Sequence, residues 1–194
     1  MDRWIDLAVA EIRRMADACR GADPATPVPT CPEWDLAELQ RHIGRVNRWA
    51  ATMVERRSQE RLGREGMDWS TPDDPAALPD WVADGADFVE PRFRAADPEA
   101  AMWAWGWPKK AAFWPRRMVH ETAVHRVDAE LALGRPAVLD AEIAVDAVDE
   151  LLDNLPHAAY FAPKVAELKG EGEVLAFVGG DAALVERWLA NSAL

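Results

Sequence analysis

Between Asp2 and Arg20 the apolar residues Trp4, Leu7, Ala8, Ile12, Met15 and Cys19 recur at spacings of three and four, the repeat of one helix face. The pattern breaks from Ala22 to Glu33, where four prolines cannot continue a helix. It resumes at Asp35. That residue can cap a helix, with Glu38 at the capping-box position and Trp34 with Leu39 as a hydrophobic staple, and the periodicity predicts a helix to about Arg61. Gly63, Gly66, Pro72 and Pro75 mark residues 62–78 as a loop. A third helix is expected over Pro79 to Ala96, with Pro91 threatening a kink or an early end. A Trp-rich connection, Met102 to Pro108, leads into a fourth helix from about Ala112 to Leu133. Pro115 is tolerated there in the first turn, and Gly134 with Pro136 form the stop. A fifth helix is expected over Ala141 to Leu155, a short strand over Glu173 to Val178, and a last helix from Asp181 to Ala190. Four long helices joined by short and long connections predict a mainly α fold, a four-helix bundle over residues 1–155. Residues 156–194 form a short strand-helix extension, too small to fold alone.

Composition narrows the class. A chain of 194 residues is one domain, or one domain with a modest appendage. Cys19 and Cys31 make neither a disulfide framework nor a zinc ribbon. No signal-peptide pattern and no apolar run of about 20 residues is visible, so the expected location is the cytoplasm, away from membranes. A net charge of −12 argues against a nucleic-acid partner, whose phosphates would be repelled. The acid is not spread evenly. Residues 1–65 carry eleven basic and eleven acidic side chains, whereas 140–194 carry three and eleven, so the near-neutral first third could accept an anionic ligand. Ten of the aromatic residues are Trp, which fill a core or line a wide aromatic pocket.

Candidate chemistry sits on the second and fourth helices. Leu39, His42, Val46, Trp49 and Met53 share one stripe, which places His42 inward. On the fourth helix Glu121 and His125 stack on one face with Trp114 and Met118, while Thr122, Arg126 and Glu130 define the expected wet side. An inward carboxylate and imidazole either bond each other or jointly hold a cation. With His42 they make a His₂Glu set, a common catalytic zinc arrangement that leaves a fourth position for water or substrate. Asp128, one turn beyond His125, is placed to orient it or to pair with an arginine at the surface. His120 points about 140° away and reads as a core or surface histidine. His157 reads as solvated. No phosphate loop, His-Glu-x-x-His sequence or nucleophile elbow is present, and nothing in the sequence activates Cys31 as a nucleophile.

Two stretches carry a likeness. Val28-Pro-Thr-Cys-Pro-Glu-Trp-Asp-Leu-Ala-Glu-Leu39 with His42-Ile-Gly-Arg-Val-Asn-Arg-Trp49, and Phe113 to Glu130 around His120-Glu121-Thr122-Ala123-Val124-His125, resemble the mycothiol-dependent maleylpyruvate isomerase family. The likeness covers roughly residues 5–155. It implies an actinobacterial DinB-like four-helix bundle with a divalent metal, usually zinc, on His42, Glu121 and His125. It further implies mycothiol as thiol cosubstrate, used to isomerise maleylpyruvate or transferred to another small electrophile. Members commonly carry a complete α/β domain after the bundle, and the short extension here matches only the end of one. Arg45, Arg48 and Arg117 are then candidates to hold carboxylates of substrate or thiol, and Trp49 and Trp105 candidates to contact them. Trp103, Trp105 and Trp107 form a lid or simply pack. The alternative is a non-catalytic bundle whose metal is structural, or which binds a ligand or partner. An open fourth coordination position separates the two.

Overall fold

A computed structural model describes residues 1–63, 67 and 69–167. The expected strand at 173–178 and helix at 181–190 lie outside the described residues. The chain divides into two compact units: Met1–Ala104 with Pro108–Leu139, and Trp105–Trp107 with the chain from Asp140 onward. No described helix is long and apolar enough to cross a membrane.

The first unit is a four-helix bundle of α1 (Asp2–Cys19), α2 (Leu36–Arg56), α3 (Leu78–Arg94) and α4 (Phe113–Ala132). Helices α1 and α2 lie on one diagonal, each packed against both α3 and α4. Ile5, Ile12 and Met15 of α1, Leu39, Ile43 and Met53 of α2, Val82 and Phe93 of α3, and Trp114 and Met118 of α4 are all buried in the core. The long connection between α1 and α2 is pinned by paired backbone at Pro27 and Asp35. Asp35 caps α2 by accepting the Glu38 N–H at 2.8 Å, as the capping signature predicts. Helix α2 ends about five residues before its apolar pattern does. Arg57 takes a left-handed conformation, and the Ser58 N–H returns to the Met53 carbonyl at 3.1 Å, which closes the last turn. Helix α3 runs on through Pro91 to Arg94, and Gly134 (φ 65°) follows the end of α4.

A dense aromatic cluster fills one part of the core. Trp49 stands edge-on to Trp103 and Trp114, which stack on each other, and its indole N–H donates to the Leu62 carbonyl. The second unit holds α5 (Ala141–Asn154) and two 3₁₀ segments, Leu155–Tyr160 and Pro163–Glu167. In it Trp105 meets Phe161 edge-on, and the Trp107 N–H donates to Asn154 Oδ1.

The expected wet side of α4 is dry. Thr122 and Arg126 are buried, Arg126 donates to the fully buried Glu11 of α1 at 2.8 Å, and Asn47 of α2 donates to Thr122 Oγ1. Helix α4 is covered by α1 on one side and α2 on another, so polar residues fill its buried faces. Its exposed positions are the apolar Val124 and Leu131.

Candidate functional site

His42 sits two turns into α2, where the Asp35 cap fixes the helix start, and its ring faces α4. Its Nε2 donates to Glu121 Oε1 across 3.0 Å. His125, one turn beyond Glu121, brings its own Nε2 to 3.8 Å from the same oxygen. The two imidazoles meet edge to face with centroids 5.0 Å apart. All three side chains are about a fifth exposed, so the group is shielded yet reachable from solvent.

Two of the three donors are oriented by a neighbour outside the set. The His125 Nδ1–H donates to Asp128 Oδ2 at 2.8 Å, which leaves the Nε2 lone pair facing Glu121 and His42. Arg117 pairs with Glu121 Oε2, which leaves Oε1 for the histidines. Burial raises the Glu121 pKa, but the His42 hydrogen bond, the Arg117 charge and the two histidines overcome it and bring the carboxyl down to about 2. Glu121 is therefore anionic at any working pH.

These donor atoms fit a divalent ion. His42, Glu121 and His125 each offer one ligand atom, all within 4.8 Å of one another. Tetrahedral zinc with bonds near 2.0–2.2 Å sets its ligand atoms about 3.3 Å apart, and the observed separations of 3.0 and 3.8 Å bracket that value. Among the described residues no fourth His, Cys, Asp or Glu joins this set.

Two residues of the connection before α2 complete the surroundings, and periodicity could not have found them. Trp34 packs its ring 4.9 Å from His42 and 6.0 Å from His125, forming a wall over both imidazoles. Cys31 places Sγ 3.6 Å from Asp128 Oδ2, so Asp128 links it to His125. Burial first, and then the Asp128 charge, push the Cys31 thiol up, the reverse of what activates a cysteine nucleophile. Cys19 is buried and pushed up to about 12.

The other sequence candidates are dispersed. Arg117 reaches the site through Glu121. Arg45, one turn beyond His42, is half-buried with its Nε 3.4 Å from Thr71 Oγ1. Trp49 is buried in the aromatic core, and Trp105 belongs to the second unit. Arg48 turns away from the site and lies against Trp81 of α3. His120 is a core histidine beside Trp4, and His157 is exposed.

No curated protein and no solved structure matches the chain. The family model described as the mycothiol maleylpyruvate isomerase N-terminal domain matches residues 5–130, a span that takes in His42, Glu121, His125 and Asp128. By that match the chain belongs to the mycothiol maleylpyruvate isomerase N-terminal domain family of DinB-like helical bundles.

Proposed function

We propose that His42, Glu121 and His125 hold one divalent ion, zinc by the character of the donors, and that the site uses mycothiol as thiol cosubstrate against a small electrophile in the cytoplasm. The reaction is then an isomerisation of the maleylpyruvate type or an S-transfer. The observation that supports this reading is the convergence of three donors from two helices, two of them, His125 and Glu121, already turned by a partner. A bound divalent ion supplies a Lewis acid that lowers the pKa of a thiol toward neutrality.

The chain's own residues supply the rest. Asp128 fixes the His125 tautomer, and Arg117 fixes the Glu121 carboxylate. Two neutral imidazoles and one carboxylate carry a single negative charge against a divalent cation, so one further anion, such as a thiolate, completes neutrality. Arg45, one turn beyond His42, and Arg117, on Glu121, are the cations assigned to attract a carboxylate of the substrate or of the thiol. Trp34 gives an apolar wall that limits water at the two imidazoles.

The test is spectroscopic. Protein loaded with cobalt(II) in place of zinc is titrated with mycothiol. The expected result is a sulfur-to-cobalt charge-transfer band that saturates at one thiol per protein and is absent from the His125→Ala variant. Stoichiometric cobalt with no band under saturating mycothiol would point instead to a non-catalytic, structural metal.

A further inference from the structure

On the other side of α2 the bundle contains a second built feature. Arg48 lies six residues beyond His42, about 120° around the helix, and faces α3 rather than α4. It is 94% buried, at 6% relative exposure. Its guanidinium donates to the Gly44 carbonyl at 3.0 Å and the Trp81 carbonyl at 2.7 Å, and it lies 4.3 Å over the Trp81 ring. Among the described residues it makes no ion pair. Burial pulls it down to about 10, and the charge of Asp84 offsets only part of that, so it remains a cation at neutral pH. Two of its five N–H donors are used on carbonyls.

The two helices are shaped around this side chain. A Cβ added at Gly44 would lie 2.0 Å from the Trp81 ring, and one added at Gly85 would lie 3.1 Å from Arg48 Nη1. Glycine weakens a helix interior, and here it admits a stacked indole and guanidinium. Arg48 and Trp81 form the floor of a cleft of about 630 Å³, a volume typical of small-molecule sites. Trp69 and Phe88 add flat apolar walls. Arg56, Arg92, Glu55 and Asp84 also line it, and Arg92 already pairs with Glu55. Among the described lining residues, three cations against two carboxylates leave one positive charge in excess, in a chain of net charge −12.

We propose that this cleft between α2 and α3 is a ligand site distinct from the metal centre, and that it takes an aromatic monocarboxylate. The carboxylate would meet the Arg48 end, and the flat ring would lie among Trp69, Trp81 and Phe88. The buried Arg48 cation, without an ion-pair partner among the described residues and only partly offset by Asp84, calls for one anionic charge, and the three aromatic faces call for a planar body.

The probe is 2-naphthoate, with uncharged 2-naphthalenemethanol as its control, titrated calorimetrically into the whole chain. To keep the carboxylate off the metal centre, the titration is repeated on the His42→Ala/His125→Ala variant. The site predicts saturable one-to-one binding of naphthoate, retained in that variant, and at least tenfold weaker binding of the alcohol. Arg48→Gln should weaken naphthoate at least tenfold. Arg48 is buried and its replacement threatens folding, so the exposed Asp84→Asn is the second variant. Removing a rim carboxylate should tighten naphthoate severalfold. The proposal is overturned by absence of saturable binding, by equal affinity for the alcohol, by loss of binding with the metal-centre variant, or by unchanged affinity in Asp84→Asn.

Discussion

Helix α4 carries two polar clusters on different faces, and they differ in kind. Toward α1, Arg126 is gripped by Glu11 and Glu130, with Arg14 on the other oxygen of Glu11. Arg126 and Glu11 are 4% and 0% exposed, and opposite charges meet directly. Toward α2, Glu121 and His125 meet His42 with about a fifth of each side chain exposed. There Asp128 and Arg117 hold the outer atoms of His125 and Glu121, and their inner ligand atoms gather with His42 Nε2 around one spot. The first cluster consumes its charges within the fold, and the second turns its donors toward a common centre. Burial alone therefore does not mark the candidate site; convergence with spare donor capacity does.

The largest expected effect falls on the closed cluster. Glu11→Ala leaves the buried Arg126 charge short of its partner and should cost about 3–5 kcal/mol of stability, measured by urea unfolding followed by circular dichroism. Metal bound per folded molecule should not change. A loss below about 1 kcal/mol would mean that the two clusters do not divide structural and site roles in this way.

The open cluster should respond in the opposite sense. Asp128→Asn replaces the carboxylate by an amide that can also donate, so the His125 tautomer is no longer fixed, and zinc affinity should fall about 10–100-fold in a chelator competition titration. Helicity should hold, since the bundle core is untouched. Unaltered zinc affinity would reduce Asp128 to a local hydrogen-bond partner of His125 and Cys31.

The smallest effect concerns the helix that carries His42 into the open cluster. Asp35→Ala removes the α2 cap and should cost about 1 kcal/mol in thermal or urea unfolding. Zinc affinity should shift far less than in Asp128→Asn, because His42 lies two turns inside the helix. A larger change in metal affinity than in stability would show that the helix start sets the His42 position more tightly than the core does.

Much of this arrangement was legible in the chain. Spacings of three and four marked α1 and α2, prolines and glycines helped bound α3 and α4, and helix geometry placed Glu121 and His125 on one face and His42 on an inward stripe. The dry side of α4 was not legible, because Thr122, Arg126 and Glu130 are polar and a helix period assigns polar residues to solvent. Their burial depends on Glu11 and Asn47, which approach from other helices and leave no local pattern. Trp34 and Cys31 escaped for a different reason. They lie in a connection without periodicity, and Cys31 meets Asp128 across 97 residues of sequence. The end of α2 also depended on one backbone choice, the left-handed Arg57, which the side-chain pattern does not encode.

The central claim is that His42, Glu121 and His125 form one centre for one divalent ion. Its most direct measurement is metal content and zinc titration of the whole chain, purified without chelator, beside the His42→Ala, Glu121→Gln and His125→Ala variants. The account predicts one tightly bound divalent ion per wild-type molecule, and loss of stoichiometric binding in each variant while the far-ultraviolet circular dichroism stays helical. Wild-type protein that takes up no zinc, or variants that bind it as well as wild type, would contradict the account and leave the three residues as a hydrogen-bonded cluster.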